Sequence, residues 1–184
     1  RDKHVTGVQT CALPIYHYRY IQDRVSLPLW VYNIPQTVKT AVAPETIATL
    51  AAEGAVVGVK DSSGAGELLA QLNVLCEQGE ISLLRFLGTA FRVTSAGAVG
   101  AQGVIPGIAN LIPAICAQGW EAGEAGDADG IREANAGVIV AGKASRIAQG
   151  GSANAAAFGA MKASLKIMGR SEEHTSELQS RAYL

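Results

Sequence analysis

The chain has 184 residues, is 48% hydrophobic and 17% charged, and carries a formal net charge of -1. That length suits one domain of ordinary size. No basic patch points to nucleic acid, no acidic run points to a solvated tail, and no stretch approaches the ~20 apolar residues needed to span a bilayer.

In chain order, Leu27-Pro28-Leu29-Trp30-Val31-Tyr32 reads as a short strand broken at Asn33-Ile34-Pro35. Pro44 suits a first helical position, with Glu45 in the first turn and Ile47 and Leu50 as the inward stripe. Val56 to Val59 is apolar and β-branched, as in a strand covered on both faces. Leu68, Leu69, Leu72, Leu75 and Cys76 share one helical face, and Gly79 is placed to cap it. Ile81 to Leu87 reads as a third strand ending at Gly88-Thr89, 91–101 as a helix, and Gly103-Val104-Ile105 as a fourth strand. Helices follow at about 113–124, 128–148 and 153–168, with Asp127 and Ser152 as N-caps for the last two.

Strands alternating with helices imply βαβ units and a parallel sheet. Right-handed crossovers then bring Tyr32, Lys60, Gly88 and Ile105 to one rim, where α/β barrels keep their chemistry. A doubly wound open sheet fits the same alternation. It calls for a glycine-rich phosphate turn after the first strand, and Asn33-Ile34-Pro35-Gln36 is not one.

Lys60 closes the run Val56-Val57-Gly58-Val59 and precedes Asp61-Ser62-Ser63-Gly64. A lysine ending a buried strand is costly, because an ammonium loses hydration there. Desolvation favours the neutral amine, a nucleophile toward carbonyl carbon. The plainer alternative is a lysine that points to water or pairs with Asp61, itself read as a loop carboxylate. Tyr32 is either a proton carrier or a core aromatic. Gly97, Gly100 and Gly103 read as close helix–strand packing, and Lys143 with Arg146 as a solvated helix face. His4, His17 and His174 are too scattered for a metal site.

The chain has three cysteines, Cys11, Cys76 and Cys116, with no CxxC pair. Cys76 and Cys116 fall on apolar helix positions and read as buried free thiols, which suits a reducing, cytoplasmic setting.

Tyr32-Asn33-Ile34-Pro35, followed one βα unit later by Val57-Gly58-Val59-Lys60-Asp61-Ser62-Ser63-Gly64, resembles the dihydrodipicolinate synthase / N-acetylneuraminate lyase family. Gly103-Val104-Ile105-Pro106-Gly107-Ile108-Ala109-Asn110 resembles that family's eighth-strand segment, and Phe158-Gly159-Ala160-Met161-Lys162-Ala163-Ser164-Leu165 its late helix. The resemblance covers essentially all of residues 16–169. It implies a partial (β/α)8 TIM barrel, strands five to eight, with C-terminal helices, and a homotetramer in the full-length protein. It implies Schiff-base aldol chemistry on pyruvate or a related 2-oxo acid, with no metal and no cofactor. By matching position, Lys60 would form the imine and Tyr32 would carry protons, while Gly88, Thr89 and Ile105 would line the substrate pocket. A non-catalytic barrel that binds a 2-oxo acid is the competing function.

Two departures matter. Family synthases often carry a carboxylate-binding arginine two residues after the proline, where this chain has Thr37, with Lys39 nearby. The acidic pair often found after the seventh strand is replaced by Thr89-Ala90. A generic 2-oxo-acid aldolase or lyase therefore fits better than the synthase proper. The ends differ from the middle: Val5 to Ile15 shows no helix or strand period, and Ser171 to Ser180 is polar. Both resemble translated sequencing-adapter text, and the N-terminal piece lacks the apolar core of a signal peptide. The expected organisation is an artefactual extension at 1–15, half a barrel at 16–126, a helical extension at 127–170 and an artefactual tail at 171–184. Half a barrel would expose open strand edges and be inactive alone.

Overall fold

Four short strands pair in parallel and in chain order: β1 (Trp30–Asn33), β2 (Gly58–Asp61), β3 (Leu84–Leu87) and β4 (Gly103–Val104). The computed structural model describes residues 5–144, 147 and 152–170. The chain divides into two compact units, one ending at Ile105 and the other starting at Pro106. In the first unit, α1 (Val5–Gln22) precedes β1, and α2 (Pro35–Val38) and α3 (Pro44–Ala52) link β1 to β2. Helix α4 (Glu67–Gln78) links β2 to β3. A sheet wound steadily in one direction keeps its connecting helices on one side, whereas a doubly wound sheet reverses its order midway. The observed order therefore selects the barrel-type winding over the open-sheet alternative.

Side chains alternate across the sheet, and the two faces have different fates. Val31, Val59 and Leu87 share one face and are fully buried. Ile47 and Leu50 of α3 and Leu69 and Leu72 of α4 are fully buried too, and the two helices pack on each other. Burying each such aliphatic side chain is worth roughly 1.5–3 kcal/mol. The other face stays open. Trp30, Tyr32, Leu84 and Ile105 keep between 37% and 47% of their surface.

Element boundaries depart from the sequence pattern where backbone bonding decides them. The second strand lies at Gly58–Asp61, not Val56–Val59, so Lys60 sits inside the strand. Helix α3 ends in a turn that brings the Ala55 N–H back to the Leu50 carbonyl, and strand pairing then carries on through Asp61. The third strand starts at Leu84, because Glu80 adopts φ +51° and the Ile81 N–H returns to the Cys76 carbonyl. The helix expected at 91–101 is two 3-10 turns, Ala90–Ser95 and Gly97–Val99, which meet at Ala96, the second ended by Gly100 at φ +80°. Helix α1 runs across residue 15 with Pro14 inside it, in a stretch with no apolar stripe to announce it. Arg19 on α1 donates from Nε to Glu53 Oε2 at 2.9 Å, tying α1 to the end of α3. That hydrogen bond raises the guanidinium pKa and lowers the Glu53 carboxyl.

The second unit holds a 3-10 turn (Gly107–Asn110) and helices α5 (Pro113–Ala125), α6 (Ala128–Ala144) and α7 (Ala153–Ile167). Helix α5 packs on α6, with Gly137 opposite Ile115, where a Cβ would sit 2.9 Å from the isoleucine side chain. Asp127 accepts from the Asp129 and Gly130 N–H groups and Ser152 from the Ala155 N–H, as expected of N-caps. Cys76 and Cys116 are free and buried, and burial pushes the Cys116 thiol up. Arg146, residue 148, His4, His174 and the stretch 171–184 lie outside the described residues. No helix among the described residues is long and apolar enough to cross a membrane.

Leu72→Ala leaves a cavity between α4 and the sheet. It is expected to cost about 2–5 kcal/mol in urea unfolding with little change in slope. A loss below about 1 kcal/mol would contradict this packing.

Candidate active site

Parallel register sets Tyr32 beside Lys60 and Lys60 beside Phe86. All three fall on the open face. The Lys60 ammonium nitrogen lies 4.5 Å from the centroid of the Tyr32 ring. At that range the ring quadrupole attracts the cation. Lys60 is half-buried and Tyr32 is exposed. On the same face the Trp30 and Phe86 rings meet, with centroids 5.4 Å apart. Gly58 and Gly103 make room for them: a Cβ at either would come within 2.6 Å of Trp30 or Phe86.

Gly88 continues the same face beyond Phe86. A Cβ there would lie 2.1 Å from Ser62 Oγ and 3.0 Å from Lys60 Cε, so the Ser62 hydroxyl occupies the space that a side chain would take, with the lysine stem at its edge. The Gly88 N–H donates to the Asp61 carbonyl at 2.7 Å. Ile105 follows β4 on the same alternation as Gly103, and its N–H donates to the Leu87 carbonyl at 2.8 Å. Four of the five sequence-predicted residues, Tyr32, Lys60, Gly88 and Ile105, therefore share one rim. Thr89 falls on the opposite alternation and opens a 3-10 turn, its carbonyl accepting from the Arg92 N–H.

Asp61 is the residue that sequence reasoning misplaced. It is a strand residue with no exposed surface, not a loop carboxylate. It does not pair with Lys60, because consecutive strand residues face opposite ways. Its Oδ1 accepts from Asn33 Nδ2 at 2.8 Å and from the Ser63 N–H at 3.0 Å, and its Oδ2 from Ser63 Oγ at 2.9 Å. Asn33, equally buried, accepts at Oδ1 from the Val42 N–H at 3.2 Å. The available signal was positional: Asn33 and Asp61 each follow one of the two chemical residues by one step.

Neighbouring loops are tied to backbone. Gln36 Nε2 donates to the Ser62 carbonyl at 2.9 Å, and Lys39 Nζ to the Gln36 carbonyl at 2.8 Å. Tyr18 on α1 reaches the backbone of Tyr32. Burial raises its phenol pKa, and the hydrogen bond with the Tyr32 backbone works the other way.

The family model described as Dihydrodipicolinate synthetase family matches residues 12–177. The chain is 34% identical over 121 residues to a 4-hydroxy-tetrahydrodipicolinate synthase of Acidithiobacillus ferrooxidans, covering 65% of this chain and 40% of that protein. It is 33% identical over 119 residues to the protein of the same name from Geobacter metallireducens, covering 65% and 40%. The solved dihydrodipicolinate synthase of Bacteroides thetaiotaomicron superposes with a TM-score of 0.76 at 20% identity, over 94% of this chain and 60% of that one. The chain thus spans about 40% of the length of the curated relatives it matches. Its parallel sheet and helices form part of a (β/α)8 barrel.

Gly88→Ala is expected to displace the Ser62 hydroxyl and crowd the Lys60 stem beside it. The Lys60 Cε resonance should move in a 13C-lysine spectrum while the fold is retained. An unmoved resonance would show that Gly88 does not bound the lysine.

Proposed function

The chain belongs to the dihydrodipicolinate synthetase family, and on that premise we propose that it carries the amine-bearing half of a Schiff-base aldolase or lyase acting on pyruvate or a related 2-oxo acid. The observation that supports this most directly is the Lys60 nitrogen held 4.5 Å over the Tyr32 ring at the carboxyl ends of two adjacent parallel strands.

The neutral Lys60 amine attacks the carbonyl carbon of the oxo acid, and water leaves as the imine forms. The imine draws electrons from the neighbouring carbon and stabilises the carbanion needed to make or break an aldol bond. Tyr32, whose hydroxyl both donates and accepts, moves protons to and from the imine and the aldol oxygen. Gly88 and Ile105 wall the substrate beside Lys60, and Thr89 contributes from the turn after β3.

The loop after β1 argues against the synthase proper. Position 37 is threonine, and the ammonium of Lys39 is turned onto the Gln36 carbonyl. Neither supplies the forked, bidentate grip on a substrate carboxylate that an arginine gives. A generic 2-oxo-acid aldolase or lyase is the better reading. The rest of the barrel completes the pocket, so the chain alone is inactive, and the full-length protein assembles as a homotetramer. The boundaries at 15, 126 and 170 remain our division of the chain, with artefactual ends outside 16–170. Two buried free thiols fit a cytoplasmic enzyme.

Pyruvate with borohydride, added to a complete barrel containing this segment, is expected to leave a reduced adduct at Lys60 by peptide mass spectrometry. Lys60→Ala should abolish it. Tyr32→Phe should slow turnover by roughly 10²–10⁴ while the adduct still forms. Pyruvate bound without an adduct would favour the non-catalytic 2-oxo-acid-binding barrel instead.

A further inference from the structure

We propose that the buried hydrogen bond between Asn33 and Asp61 is a positioning device that holds Tyr32 over Lys60. Its purpose rests on the imine reading given above, whereas its geometry stands apart from that reading.

Four observations converge on it. First, Asn33 pairs with Asp61 in the same parallel register that pairs Tyr32 with Lys60, one step earlier. Whatever fixes the former pair along and about the strand axes fixes the latter. Second, the bond lies on the covered face, where both residues are almost wholly buried, while the chemical pair lies on the open face. The clamp therefore acts without touching substrate. Third, the bond belongs to a chain of contacts that runs through the site's supports. The Val42 N–H donates to Asn33, Asn33 to Asp61, and the Ser63 N–H and hydroxyl to Asp61. The backbone adds the Ser62 N–H to the Asn33 carbonyl at 2.8 Å and the Gly88 N–H to the Asp61 carbonyl at 2.7 Å. One carboxylate residue thus ties the ends of β1, β2 and β3. Fourth, no salt bridge among the described residues includes Asp61. A buried carboxylate with no cation is an expensive way to fill space, and two residues earlier the same face is filled by Val31 and Val59. The polar pair supplies what valines cannot: a directional bond that fixes how far each strand end reaches.

Asn33 and Asp61 are positioning residues in this scheme, acting only through Tyr32 and Lys60. The readout is the ring-current shift that Tyr32 imposes on the Lys60 ε-methylene protons, followed in the chain with 13C-labelled lysine and assigned with Lys60→Ala. Asn33→Ala should lose most of that shift and, in a complete barrel containing this segment, lower the rate of pyruvate–borohydride labelling at Lys60 roughly ten- to hundredfold, with the pyruvate concentration at half-maximal rate little changed. The double exchange Asn33→Asp with Asp61→Asn keeps a side-chain bond between β1 and β2 with donor and acceptor reversed, at the expense of the Ser63 N–H contact, and should bring most of the shift back. A folded Asn33→Ala chain that keeps the full shift overturns the proposal. Where Asn33→Ala does not fold, the double exchange decides: folded with the shift supports the proposal, folded without it overturns it. A shift that follows the exchange, with a complete barrel whose Lys60 never takes pyruvate, supports the clamp while removing the imine chemistry.

Discussion

Two parallel strands in register, with side chains alternating across the pair, are the constraint on which this site depends. Because the period is two, the placement of Tyr32 beside Lys60 on one face and of Asn33 beside Asp61 on the other is a single event. A slip of one residue in β2 would carry the lysine into the buried layer beside Val31 and Leu87 and bring Asp61 to the open face. The hydrophobic layer therefore enforces the chemistry indirectly. It makes an odd slip of β2 expose valine and bury an ammonium.

The open face is built by subtraction. Three glycines, Gly58, Gly88 and Gly103, stand where side chains would strike Trp30, Ser62 and the Lys60 stem, or Phe86. The aromatic rings occupy the lower of these spaces and the lysine the upper one. Such a floor suits a barrel interior, where side chains from neighbouring strands share layers. Trp30, Leu84 and Ile105 remain exposed because four strands supply only one side of that interior. The partial alignment with longer relatives and the openness of this face are two views of the same fact.

Much of this was legible in the sequence because it rests on local pattern. The apolar stripe of α4, Pro44 at a first helical position, the Asp127 and Ser152 caps and the strand-by-strand alternation are all written in spacing and residue type. Tyr32, Lys60, Gly88 and Ile105 could be brought to one rim because right-handed crossovers leave few choices. What escaped was set by bonds between distant residues. Hydrophobicity stops at Val59 and so marks Lys60 as the end of its strand, yet pairing continues through Asp61 for as long as Asn33 has a partner. The 91–101 segment suits one helix in the sequence, but it folds as two tighter turns that meet at Ala96 and end at Gly100. Helix α1 has local hydrogen bonds without an apolar stripe, so period analysis is blind to it.

Asp61 shows why charge alone misleads in such readings. A carboxylate next to a lysine in sequence invites an ion pair, and an Asp-Ser-Ser-Gly run invites a loop. In a strand the neighbour is the one residue that cannot be reached, since it points through the sheet. The partner to seek is across the ladder, and there stands an amide, not a cation. An amide suits the place better than arginine or lysine would. It donates one well-directed N–H to the carboxylate and accepts the Val42 N–H with its oxygen, so each polar atom of Asn33 has a defined partner. A long cationic side chain would neutralise Asp61, but it would also bring a second charge into the layer that α3 and α4 cover and leave the ends of β1 and β2 coupled through several rotatable bonds. Geometry at Lys60 gains more from a short, neutral donor than from an opposite charge.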